Sequence, residues 1–328
     1  MVPDTGAAPP DRRREIADFK ANIRDYSAHE GVKLFALQQI KKATSACNHL
    51  TDPSMPDALH DFRVAVRRLR TWIRVYKQYH NVNKKKIKQL GDITDFTNKS
   101  RDLEVCLDWL NQCIADMSDI SAIDKQALEI LRENMTKDYK QELIEIQNHV
   151  PADWKRLQES LVNHLNNNID EKKILDLLPQ VAATKILSAC KSVEDQLALI
   201  HGIEDRFAIH KLRIYYKRLR YLLEPFRFQI PATREIINFL KKIQDLLGNF
   251  RDAHIALELL SSHYDGLSEK LRIIPGDYTN SKIFAILFER ARKLELDRFD
   301  TFRKLYVNGD LQRIVSNTRI ACEELKNY

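Results

Sequence analysis

One fixed spacing restricts this chain more than any other feature. Residues 60–70 read HDFRVAVRRLR and residues 210–220 read HKLRIYYKRLR, 150 positions apart. The same spacing matches Lys41 with Lys191, Ile87 with Ile237, Leu90 with Leu240, Ile93 with Ile243 and Asp95 with Asp245. It also matches Arg101-Asp102 with Arg251-Asp252 and Leu107 with Leu257, so 67 positions align without a gap. Further on, HVPADWKRLQESL (149–161) resembles YVNGDLQRIVSNT (306–318) at a spacing of 157, which places a seven-residue insertion within 265–280. A unit of about 150 residues is too long for a solenoid repeat, and 328 residues can hold one large domain or two ordinary ones. The expectation is an internal duplication: a disordered lead-in at 1–13, a first repeat at about 14–168 and a second at about 169–328. The boundary falls at NNNIDE (166–171).

Each repeat reads as helices. Eight glycines and ten prolines are too few to punctuate a strand-and-turn architecture of this length. Apolar residues recur with the period of a helix throughout. The predicted segments of the first half are roughly 14–50, 57–81, 84–113 and 120–147, with a shorter one near 151–167. Those of the second are roughly 175–202, 205–228, 232–262, 280–305 and 308–326. Pro53 and Pro56 break the chain before the first motif, and Asp57 is the expected N-cap. The fold class is therefore all-α, as two similar bundles side by side or intertwined.

On a helix the repeated motif splits into two sides. Phe62, Val66, Leu69 and Ile73, with Ala65, Trp72 and Tyr76, form the core side. His60, Arg63, Arg67, Arg70 and Arg74 fall in a band of about 80° on the other. The second copy sets His210, Arg213, Lys217 and Arg220 against Leu212, Tyr216, Leu219 and Leu223, while Arg68 and Arg218 lie on the flank. A solvated helix face normally mixes signs, because like charges at this spacing repel by a few tenths of a kcal/mol per pair. Stacked arginines therefore have three possible fates: an ordinary solvated face, pairing with acids from other helices, or binding of an anion. The planar guanidinium fork, which matches phosphate oxygens two at a time, favours the third.

Charge distribution agrees. The chain carries +7 overall, yet residues 59–101 and 209–251 together carry +16, leaving −9 on the remainder. A concentrated cationic field on an otherwise acidic protein points to a polyanion partner. KKKIK (84–88) opens a helix, where cations oppose the dipole, and reads as a solvated or anion-facing run. Asp102 and Asp252 are expected to orient arginines of the preceding helix.

The duplicated HxxRVxxRRLR and HxxRIxxKRLR, each followed by a helix ending in Arg-Asp, resemble the CHAD domain, the conserved histidine α-helical domain. IHKLRIYYKRLRYLLEPF (209–226) and LLGNFRD (246–252) carry the likeness most closely, which covers about 20–325 and sets the domain at 14–328. The resemblance implies two pseudo-twofold-related four-helix bundles around a central basic groove or pore. It also implies a module that binds inorganic polyphosphate, associated in some cases with polyphosphate granules. Carried over by position, the implied contacts are His60, Arg63, Arg67, Arg68, Arg70, His210, Arg213, Lys217, Arg218 and Arg220. Arg101 and Arg251 match the Arg-Asp positions. Lys41 and Lys191 join through the repeat match, and Arg74 through its place in the stripe. Asn98-Lys99-Ser100 departs from Gly248-Asn249-Phe250, and Glu224 stands at the position equivalent to Arg74. The ExExK strand of the triphosphatase domain that accompanies many members is not found, so a stand-alone member is expected.

The preferred expectation is a non-catalytic polyphosphate binder that uses no cofactor and no metal. One alternative is a metal-dependent phosphohydrolase or phosphotransferase working through His60 and His210. Such chemistry usually needs a carboxylate-rich metal cluster, and His60-Asp61 becomes His210-Lys211 in the second copy. The other alternative is a nucleic-acid binder, which would need exposed aromatics among the cations; Phe62 and Trp72 fall on the core side, and Tyr215 and Tyr221 are the doubtful cases. The five cysteines are scattered, with no CxxC pair, and read as buried reduced thiols. No apolar run approaches the roughly 20 residues of a spanning helix, so no membrane and a cytoplasmic location are expected.

Overall fold

The computed structural model describes residues 23, 25–117, 120–167, 175–271, 282–307 and 309–327. The lead-in and the start of the first predicted helix lie outside these residues. Ten α-helices are described. The first five are α1 (Ala28–Cys47), α2 (Ala58–Val75), α3 (Lys84–Phe96), α4 (Asn98–Ala115) and α5 (Ala122–Asn166). The others are α6 (Leu178–Leu197), α7 (Arg206–Leu223), α8 (Pro231–Leu271), α9 (Ile283–Val307) and α10 (Asp310–Lys326). None is long and apolar enough to cross a membrane.

The duplication is visible in the backbone. Helices α1 and α6 start and stop 150 residues apart, at 28–47 and 178–197. Immediately before them the chain crosses itself in an antiparallel bridge between Ser27 and Leu177, again 150 apart. The first N–H of each helix, which has no partner within its own helix, is taken by the other repeat. Ala28 N donates to the Asp176 carbonyl (2.7 Å) and Leu178 N to that of Tyr26 (3.0 Å). A pseudo-twofold axis passes between these strands of the crossing. Ser27 closes α1 with a capping box to Glu30, and Tyr79 Oη ties the same seam by donating to Asp176 Oδ2 at 2.6 Å.

Helix α2 lies as its periodicity requires, with Phe62, Val66, Leu69, Trp72, Ile73 and Tyr76 buried. Leu212, Tyr216, Leu219 and Leu223 are buried in the same way on α7. The halves share their core. One apolar cluster, around Ile40, Phe62, Leu69, Trp154 and Leu161, belongs to the first repeat. A second joins Val32, Phe35, Trp72 and Tyr76 to the helices of the second repeat. The third sets Leu103, Leu110 and Leu131 against Leu260, Phe284 and Leu287. All five cysteines are free and buried. Burial pushes Cys106 and Cys322 up to about 12 and Cys47 and Cys190 up to about 11, so these thiols stay protonated and inert.

Several predicted boundaries are corrected. The segment expected at 84–113 is two helices, broken at Thr97, whereas its counterpart α8 runs unbroken from 231 to 271. Conversely, the segments expected at 120–147 and 151–167 are one 45-residue helix with Pro151 inside it. Proline forfeits one backbone hydrogen bond in a helix interior, a loss of about 3 kcal/mol that tertiary packing overrides here: Val150, Trp154 and Leu157 beside it are buried. The second repeat breaks at the matching place, where Gly309 takes a left-handed φ of 75° before α10. Asp57 occupies the N-cap position of α2 but makes no capping hydrogen bond. The stretch expected to hold the insertion is still helical to Leu271, and its remainder falls outside the described residues.

Candidate functional site

Equivalent helices meet across the pseudo-twofold axis: α2 packs on α7, and α4 on α8. From the axis these four helices gather Arg67 (α2), Arg101 (α4), Arg213 and Lys217 (α7) and Arg251 (α8). Their mutual influence is plain in their proton affinities. Lys217 is pulled down to about 6, by burial first and then by Arg213, Arg67, Arg220 and Arg251; each of these influences opposes its charge. Arg67 and Arg213 are both lowered, again by burial first, with Arg251 repelling each of them. His210, exposed at the start of the cationic band of α7, is lowered by burial and then by Arg251, Arg213 and Lys217. Two sequence-distant basic helices thus build one cationic cluster.

The acids of the region are set around this cluster unevenly. Asp102 contacts Arg251 of the other repeat, Oδ1 to Nη1 and Oδ2 to Nη2, both at 3.3 Å. Arg63 and Arg67 of α2, two helices back, lie within its electrostatic reach, but its ion pair is with Arg251 and not with an arginine of its own repeat. Asp252 is raised by burial, against the pull of Arg213, Arg251 and Arg101. Arg101 turns instead to Glu104 on its own helix (2.7 Å). Glu224 holds Arg68 across the axis through Nε at 2.8 Å and Nη2 at 3.0 Å, with Arg220 Nε at 3.5 Å. Tyr221 is buried beneath these two guanidiniums, their Cζ atoms 5.5 and 5.2 Å from its ring centre.

Other predicted site residues take different places. Arg63 is only 4% exposed and is hydrogen-bonded to Thr94, Thr97 and Asn98. Arg70 lies against Gly91, where an added Cβ would come within 2.7 Å of its guanidinium, so the glycine makes room for it. Arg74 is exposed, and its charge is the largest one acting on Arg218. His60 is exposed at the start of α2, and Lys41 and Lys191 are exposed on α1 and α6. No described hydrogen bond or ion pair ties these two lysines to the cluster. Lys84, Lys85 and Lys88 are exposed on α3, whose start is capped by Asn83 accepting from Lys86 N at 3.0 Å.

Tyr221, Glu224 and the Thr97-Asn98 pair are parts of the site that helical periodicity did not select. Two were signalled by the repeat itself. Glu224 and Asn98 both stand where the other copy has a different residue, Arg74 and Gly248.

The chain is thus a duplicated all-α protein with cations from both copies converging on its pseudo-twofold axis. The CHAD domain family model matches residues 36–261, and the chain belongs to that family. Among solved structures, the CHAD domain from the plant Ricinus communis superposes with a TM-score of 0.64 at 18% identity, covering 90% of this chain and 92% of that one. PptA from Streptomyces chartreusis gives 0.65 at 12% identity, covering 85% and 99%. At these identities the likeness is one of fold. No curated protein matches the chain in sequence.

Proposed function

We propose that the chain binds inorganic polyphosphate along a basic groove at the pseudo-twofold axis and does no chemistry on it. The observation that carries this reading is Lys217: a half-buried amine that burial and four neighbouring arginines, with no carboxylate among its strongest neighbours, hold well below the ordinary lysine range. Gathering like charges away from water is costly, and a polyanion removes that cost by supplying the missing counter-charge. Arg213 has Asp252 as its strongest charged neighbour, yet its Nε is buried without a hydrogen-bond partner. A phosphate chain offers repeated oxygens in pairs, which suits guanidinium forks.

The aromatic residues support polyphosphate over single-stranded nucleic acid. Phe62, Trp72 and Tyr216 are core residues and Tyr221 is buried beneath Arg68 and Arg220, so none offers an open stacking face beside the cluster. Phe207 is exposed at the start of α7, where Lys211 Nζ covers its ring at 4.4 Å. As to catalysis, among the described residues no three of His, Cys, Asp and Glu group as metal ligands would. Of the carboxylates beside the cluster, Glu224 is engaged by Arg68 and Arg220, and Asp102 by Arg251.

Calorimetric titration with long-chain polyphosphate tests this directly. The unmodified chain is expected to bind, and the variant carrying Arg67→Glu, Arg213→Glu and Lys217→Glu to lose binding with its helical circular dichroism intact. Retained binding by that variant removes the cluster as the site. Release of phosphate by the purified chain with Mg²⁺ or Mn²⁺ would replace binding with hydrolysis.

A further inference from the structure

The two copies of the motif hold their leading arginines differently. Arg63 donates to the Thr94 carbonyl (3.1 Å), to the Thr97 hydroxyl and to Asn98 Oδ1 (2.9 Å). The cause is local. Because α3 ends at Phe96 and α4 begins at Asn98, carbonyls in the last turn of α3 lose their helical N–H donors, and Arg63 supplies one. Every part of this arrangement belongs to the fold.

Arg213 stands 150 positions later and meets another surface. Helix α8 passes this point without a break, so its carbonyls are engaged within the helix. At the position equivalent to Asn98 the second repeat has Gly248. An added Cβ there would lie 3.8 Å from Arg213 Nη2 and meet nothing closer, so a side chain would fit. With glycine in place, Arg213 Nε stays buried and unpartnered. The flanking arginines repeat the contrast: Arg68 is paired with Glu224, while the strongest charged neighbour of Arg218 is another cation, Arg74.

We propose that the polyanion is held chiefly by Arg213 and Lys217 of the second repeat with Arg67 opposite, and that Arg63 is a structural cap that does not touch it. This division rests on the polyphosphate reading above and sharpens it: the duplicated motif has one copy given to ligand and one given to the fold.

Gly248→Asn tests it by giving Arg213 the acceptor that Arg63 already has, with no change of charge. Titration with long-chain polyphosphate is expected to show affinity reduced about tenfold, with the ligand-free melting temperature unchanged or raised. Arg63→Lys keeps the charge but not the fork; it is expected to melt a few degrees lower and to bind within about twofold of the unmodified chain. Arg213→Lys should do the reverse, weakening binding and leaving melting unchanged. Unaltered affinity in Gly248→Asn overturns the division, as does equal loss of affinity in Arg63→Lys and Arg213→Lys. Should Arg63→Lys fail to fold, Gly248→Asn still decides. Absence of binding by the unmodified chain is a different result and overturns the polyphosphate reading itself.

Discussion

Arg68 and Glu224 join the two repeats through paired contacts of 2.8 and 3.0 Å, and the repeat-related position sets Arg74 against Arg218. One side of the axis is neutralised by the protein and the other is left positive. On the proposed function, Glu224 competes with the polyanion for Arg68 and Arg220. Glu224→Gln is expected to tighten polyphosphate binding, because Arg68 and Arg220 become available to phosphate. It should also lower stability by about 1–3 kcal/mol, since a partly buried charged hydrogen bond is lost. Chemical denaturation and titration on the same variant check both signs.

If the chain binds polyphosphate as proposed, Lys217 is expected to make that binding depend on pH. At about 6 in the free chain it is mostly neutral at neutral pH, and nearby phosphates raise it. The complex then holds more protons than its parts, so affinity falls as pH rises above about 6. Below that value Lys217 is charged in both states and the dependence from this group levels off. His210, lowered by the same neighbours, adds in the same direction. Titration in buffers of different ionisation enthalpy should reveal proton uptake near neutral pH, and Lys217→Arg should abolish most of it.

The same group sets a stability trend in the free protein. Its folded value lies below its ordinary one, so its contribution is absent at high pH. It becomes destabilising as pH falls through the lysine range and is fully developed below about 6. Lys217→Met is expected to melt higher than the unmodified chain at neutral pH and to bind polyphosphate more weakly. A lower melting temperature would mean that the ammonium is stabilised by something other than its cationic neighbours.

Salt reports how many cations take part. With Arg63, Arg68, Arg101, Arg220 and Arg251 engaged by protein groups, Arg67, Arg213 and Lys217 remain at the axis. By analogy with single-stranded nucleic acid, the slope of log affinity against log salt is then roughly −2, or about a twentyfold loss between 50 and 200 mM. All the basic residues of both motifs acting together would give a much steeper line.

The seam between the repeats can be tested through stability alone. Tyr79 is 2% exposed and donates to Asp176 across the axis. Tyr79→Phe removes that bond and should lower stability by about 1–2 kcal/mol while leaving polyphosphate affinity unchanged.

Sequence made much of this legible because helices with a shared period announce themselves. The spacing of 150 recurs in the limits of α1 and α6 and in the Ser27–Leu177 bridge, and the core sides of α2 and α7 are those their periodicity picks out. What period could not tell was how an arginine on the polar side would be used. Arg63 is buried because a break at Thr97, 34 residues further along, exposes carbonyls beside it, and nothing in HDFRVAVRRLR signals that break. Pro151 misled in the opposite direction, since the packing of Val150, Trp154 and Leu157 outweighs what proline costs the helix. Pairing across the axis, Arg68 with Glu224 and Arg251 with Asp102, required the way the halves meet, which no single helix contains.

A crystal structure of the chain with bound polyphosphate is the most direct measurement. Phosphates should lie astride the pseudo-twofold axis, within hydrogen-bonding distance of Arg67, Arg213 and Lys217. Phosphates found instead along the exposed lysines of α3, with the axis empty, would contradict the assignment.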